Sequence, residues 1–154
     1  MTFRQFFQYI SHLQYPLMLL ALYFAFKPIL IGMDQVKEDP SIYFENMNLM
    51  LIFMGLGVSF SALQDTTKTQ NKLSRKIYED PVKGKILIVA IIIMIGLFLG
   101  LGLIGYFSIE DQAFNELATG MIVLGLGMFG FLKAGVEMFE NHRLDKKKEE
   151  SDIS

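Results

Sequence analysis

Lys133 and Glu137 stand four residues apart in an otherwise apolar stretch, so on a helix their side chains meet on one surface. Glu137 would then sit at the edge of a stripe of small residues, and a carboxylate facing a helix interface is a candidate proton or cation site. Ionisable groups within a membrane span are costly and mark function by default. The alternative is a lysine near the end of a span that extends its ammonium to the headgroups and neutralises its neighbour. Asn48 and Ser59 are further polar candidates within apolar segments. Lys27-Pro28 is read as a lysine reaching the headgroups from a helix that the proline kinks.

A second pattern suggests nucleotide chemistry. Residues 100–105, "GLGLIG", and 125–130, "GLGMFG", both match G-x-G-x-x-G. A working dinucleotide fingerprint lies in the turn from a strand into a helix, where backbone N–H groups meet the pyrophosphate. Both matches instead fall in the middle of apolar blocks, where a turn would leave backbone groups unpaired in lipid at several kcal/mol each. No nucleotide or other cofactor is therefore expected, and no nucleic acid. The chain has no Cys, which excludes disulfides and thiolate metal sites, and its two histidines, His12 and His142, are distant in sequence and lie outside the apolar blocks. With no nucleophile–base pair, metal cluster or phosphate loop, the chain is not expected to be an enzyme.

The elements that carry these residues are membrane spans. Of 154 residues 52% are hydrophobic, the mean hydropathy is +0.37 and the net charge is −2. The small net charge hides a segregation of four apolar blocks from the charges between and after them. Blocks apolar on all sides do not belong to a soluble helix, which keeps one polar face. A bilayer core about 30 Å thick needs roughly 20 apolar residues of helix to cross it. Four segments qualify, at about 15–33, 48–64, 86–107 and 117–139. The expected fold is an all-α integral membrane protein in one domain, 15–139. An amphipathic helix, 1–14, precedes it and a polar tail, 140–154, follows. The first apolar run, interrupted by Lys27 and without a small-x-small site, does not resemble a cleaved signal.

Positive charge predicts orientation. Lys68, Lys72, Arg75, Lys76, Lys83 and Lys85 lie between the second and third spans, and Arg143, Lys146, Lys147 and Lys148 follow the fourth. The connection 34–45 has four acids and only Lys37, while 108–116 has Glu110, Asp111 and Glu116 with no base. Both termini are expected in the cytoplasm, in a cell membrane of bacterial type. Asp39-Pro40 and Asp80-Pro81 predict the starts of helices two and three, since proline loses nothing at a first helical position. Ser108 with Asp111 resembles a capping box for helix four. In 1–13, Phe3, Phe6, Phe7, Ile10 and Leu13 share a face, which suits a helix in the headgroup plane or one pressed on the bundle.

Within spans, small residues let backbones approach closely. Asn48, Gly55, Ser59 and Ala62 fall within about 60° of arc on helix two, and Gly120, Gly127, Gly130 and Ala134 within about 80° on helix four. Helix three has the GxxxG pair Gly96 and Gly100. Gly57, Gly102, Gly105, Gly125 and Gly135 lie off these stripes, which suggests second faces for a partner. At an offset of 70 residues "FENMNLMLIFMGLG" overlays "FNELATGMIVLGLG", a faint hairpin repeat. The reading that follows is an accessory or scaffolding membrane subunit, associating through its glycine faces with its own copies or with an unrelated membrane protein. The alternative is an oligomeric small channel or transporter with Glu137 and Lys133 near its path.

Overall fold

The computed structural model describes residues 3–67 and 72–145; Lys68, Lys146, Lys147, Lys148 and most of the expected polar tail lie outside them. Every regular element among the described residues is an α-helix. Helices satisfy their own backbone groups, which is what segments apolar all round require once water is gone. Among the described residues four helices are long and apolar enough to cross a membrane.

The chain begins with α1, Phe3–Ser11, and turns through His12 and Leu13 into α2, Gln14–Ile31. Pro16 falls in the first turn of α2, where its missing N–H costs little. Gly32, at φ 111°, ends α2 in a conformation that only glycine adopts freely. The first span therefore stops at Ile31, and Met33 opens a short helix, α3, Met33–Glu38. Next comes α4, Ser41–Ser61, whose start is held by Asp39: its Oδ1 accepts from Ser41 N at 3.1 Å and from Ser41 Oγ at 2.6 Å. The short α5, Lys72–Glu79, leads into α6, Pro81–Ser108, and α7, Gln112–His142, completes the fold.

Aspartates cap both long helices. Asp80 Oδ1 accepts from Val82 N and Lys83 N at 3.0 and 3.1 Å, and Asp111 Oδ1 from Ala113 N and Phe114 N at 3.0 and 3.2 Å. The expected capping box at Ser108 is corrected: Ser108 is the last residue of α6, and Asp111 alone caps α7. Hydropathy finds the apolar middle of a helix, while caps decide where it ends, so each of the last three spans begins earlier than its apolar block. At 28 and 31 residues, α6 and α7 are about 42 and 46 Å long, more than a 30 Å core needs.

The four long helices stand in the spatial order α2, α4, α7, α6, each packed on the next, and α2 and α6 make no extensive contact. Hairpins α2–α4 and α6–α7 thus meet through their second members, as two copies of one hairpin related by a two-fold axis would. Phe44 and Phe114, matched by the faint repeat, touch with ring centroids 4.7 Å apart. Leu51, Ile91, Ile95, Leu124 and Met128 form the buried core, drawn from α4, α6 and α7. α2 is peripheral, joined to α4 by Phe24 stacked on Phe53 at 5.5 Å. One end of the array carries α1, α5 and the basic residues Lys72, Arg75, Lys76, Lys83 and Lys85; the other carries α3 and the acidic turns.

The side-chain hydrogen bond from Lys83, then the backbone N–H bonds from Lys83 and Val82 and last the Lys83 charge, hold the Asp80 carboxyl below its usual range. A depressed carboxylate stabilises the fold above its unfolded value, about 4, and that contribution vanishes as pH falls through the lower folded value. Asp80→Asn, which keeps a capping oxygen but no charge, is expected to lower the unfolding midpoint in detergent at pH 7. The gap from the parent should close as pH drops below about 4, read by thermal scans across pH.

Candidate functional site

The seam between α4 and α7 is made of backbone. The two helices run parallel, and a Cβ placed on Gly55 would lie 2.8 Å from Leu124 Cα and 2.9 Å from Val123 O. A Cβ on Gly127 would fall on the Gly55 carbonyl, and one on Gly120 would lie 2.7 Å from Asn48 Oδ1. The glycine hydrogens that take those places point at oxygens, the weak Cα–H donors typical of close helix contacts. Gly130 faces Ala62, with 3.2 Å left for a Cβ. Without water to drive association, this proximity is what holds spans together.

The seam between α6 and α7 is antiparallel and mirrored about the Asp111–Gln112 turn. Gly102 faces Ala118 and Ile122, Gly105 faces Ala118, Gly125 faces Leu99, and Gly84 lies under the Phe139 ring. Three of these, Gly102, Gly105 and Gly125, are off the expected stripes and serve α6–α7 packing within the chain. Gly57, also off-stripe, receives Met18 of α2. Mirroring positions about Asp111–Gln112 would have found the α6–α7 pairs, because a short connection forces antiparallel neighbours into register.

Gly96 and Gly100 behave in the opposite way. A Cβ on either would meet nothing within 4 Å, so the GxxxG pair faces outward and packs against no part of its own chain. Ile92, Ile93, Leu97, Leu101 and Ile104 flank it, each at least half exposed. Ile93, Leu97 and Leu101 form an i, i+4 row beside the glycine row, and Ile92 and Ile104 close the glycine row at its two ends, a groove-and-ridge surface suited to a steep right-handed crossing with a second helix.

The four polar candidates are not gathered in one place. Asn48 and Ser59 lie on the α4–α7 seam, about 16 Å apart along α4. Ser59 Oγ donates to Gly55 O at 2.9 Å, while Asn48 Oδ1 is buried against Gly120 without a hydrogen-bond partner among the described residues. Lys133 and Glu137 pair at 3.5 Å on the outer surface of α7 near the basic end, with side chains 80% and 47% exposed. Glu137 also accepts from Thr66 Oγ1 at 3.4 Å, which ties the pair to the turn after α4. Lys27 lies over the Phe24 ring at 5.5 Å. No group of three His, Asp or Glu among the described residues is placed to hold a metal ion.

At the basic end α1 turns its polar side to the array. Gln8 Oε1 accepts from Asp65 N at 2.9 Å, and Ser11, buried, donates to Gln8 O at 2.7 Å. On its apolar face Phe3, Phe6 and Leu13 are exposed, while Ile10 is half-buried and Phe7 borders a hollow lined by Leu63, Thr66 and Lys133. Comparison of the chain with protein-family models, curated proteins and solved structures finds no match in any of the three.

Gly127→Ala is expected to push α4 from α7 and cost about 1–3 kcal/mol, as overpacking does. Gly96→Ala and Gly100→Ala should leave the unfolding midpoint of the isolated chain unchanged or raised, because the added methyl meets open space within the chain. Steric-trap or thermal unfolding in one detergent measures all three.

Proposed function

We propose that this chain is a scaffolding subunit of a membrane assembly, with both termini in the cytoplasm, and that it pairs with a second copy through the Gly96–Gly100 face of α6. The observation that carries the reading is the outward GxxxG pair. The tightest glycine contacts are consumed inside the chain, while Gly96 and Gly100 meet nothing within 4 Å and are flanked by exposed Ile and Leu on a helix free of charge at that level.

A second copy is the occupant that the geometry favours. Copies inserted with the same orientation are related by an axis along the membrane normal, so identical α6 helices meet parallel, with the motif opposite itself. That is an isologous contact, and it closes at two copies. The groove lets backbones approach, and the flanking Ile and Leu supply dispersion contacts.

Orientation rests on the basic end carrying α5 and the start of α6, and on the acidic end carrying α3 and the 109–111 turn. A cell membrane is the corresponding location, with α1 lying along its cytoplasmic headgroups, aromatic face down. Conduction receives less support, since the exposed Lys133–Glu137 pair stands apart from Asn48 and Ser59.

In bilayers, labelled copies should show energy transfer consistent with dimers. Gly96→Ile and Gly100→Ile should abolish it while helical content and unfolding midpoint hold. Energy transfer unaffected by either change, or a monomeric parent, overturns the pairing. Orientation is checked by impermeant maleimide: cysteines placed at Lys76 and Lys133 should label from the cytoplasmic side, and cysteines at Asp34 and Glu110 from the other.

A further inference from the structure

At the basic end, α2, α4, α5 and α7 border a half-open cavity of about 390 Å³, within the range of small-ligand sites. Its walls divide by chemistry. Met18, Val58, Phe131 and Met138 form an apolar part, and the two methionines can adapt to an irregular chain. Ser61, Gln64, Thr66, Ser74 and Tyr78 form a polar part, and among the described residues no charged side chain lines the space. Met18 and Phe131, each 37% exposed, border it on the apolar exterior of the helix array.

Tyr78 is the residue that points to a ligand. Carried by the short helix α5, its side chain is buried to 7% exposure, while its hydroxyl has no hydrogen-bond partner among the described residues and remains accessible on the cavity side. It lies beside Gly135, where a Cβ would come within 3.7 Å of the hydroxyl oxygen, ordinary contact distance, so a side chain longer than that of alanine would crowd the space in front of it. Burial pushes the Tyr78 hydroxyl above its usual range, which keeps it protonated and a donor. A donor in such a place calls for an acceptor.

We propose that this cavity binds a neutral ester lipid of the bilayer, a glyceride without a charged headgroup, whose ester carbonyl accepts a hydrogen bond from Tyr78. The described polar wall offers hydroxyl and amide groups rather than the Arg or Lys that phosphate calls for. The apolar wall and its opening at the level of the span ends suit an acyl chain arriving from the membrane. A water-soluble ligand would leave Met18, Val58, Phe131 and Met138 without a partner. The site is on a different surface from the Gly96–Gly100 face, so its test is independent of pairing.

The full chain is reconstituted in vesicles containing either a diazirine-tailed diacylglycerol or a diazirine-tailed phosphatidylglycerol, irradiated and digested. Diacylglycerol is expected to label peptides from 131–138 or 72–79 in preference to the anionic lipid. Tyr78→Phe, which keeps the ring, should reduce that labelling about fivefold, the worth of one hydrogen bond. Gly135→Leu should abolish it by filling the cavity. Helical content and unfolding midpoint are measured for each variant, and Tyr78→Phe carries the test if Gly135→Leu does not fold. Equal labelling by both lipids, or labelling of Tyr78→Phe equal to the parent, overturns the proposal.

Discussion

The approach of α4 to α7 until backbone meets backbone is the contact on which the rest of the array depends. Between lipid-exposed helices there is no hydrophobic gain in coming together, since acyl chains are as apolar as leucine, so association rests on dispersion and weak hydrogen bonds that decay within a fraction of an ångström. Gly55, Gly120 and Gly127 remove the side chains that would hold these helices apart, and Gly55 O receives both the Ser59 hydroxyl and the approaching face of Gly127. Once α4 and α7 are joined, Leu51, Leu124 and Met128 come within reach of Ile91 and Ile95 on α6, and the core closes.

The position of α7 between two neighbours explains its composition. A helix packed on both sides needs small residues on two faces, and α7 has Gly120, Gly127 and Gly130 toward α4 with Gly125 and Gly135 elsewhere. The outer helices need only one such face. For α6 that face is Gly84, Gly102 and Gly105, which leaves Gly96 and Gly100 in excess of internal packing. That excess is the physical basis for reading the chain as one that pairs. The two ends of the array differ as sharply, with short helices, a buried tyrosine and a mixed cavity at the basic end and capped turns at the acidic one.

Much of the local structure was legible because it depends on near neighbours. The run 86–107 contains no charge and could only be a buried or membrane-crossing helix, and Asp80-Pro81 marked its start within a residue. The Ser108 reading failed because Ser108, Ile109 and Glu110 finish one helix and its turn before Asp111 can begin the next. The glycines were harder. Their number showed that close packing was needed, and the α4 and α7 stripes share an interface, yet the GxxxG pair, the most familiar packing motif in the chain, contacts no other helix of it. A stripe shows that a neighbour is possible without showing which neighbour fills it.

The order of residues by itself determined how many helices are long and apolar enough to span, where α4 and α6 start and how charge divides between their ends, since each follows from hydropathy, capping and short-range sterics along the chain. Only the tertiary structure decided which glycine meets which helix, that α4 and α7 are the inner pair, that Lys133 and Glu137 face outward and that Tyr78 closes over an open space beside Gly135. The physical reason is that a helix face is available in every direction until neighbours take it, and the occupant is chosen by competition among all faces at once.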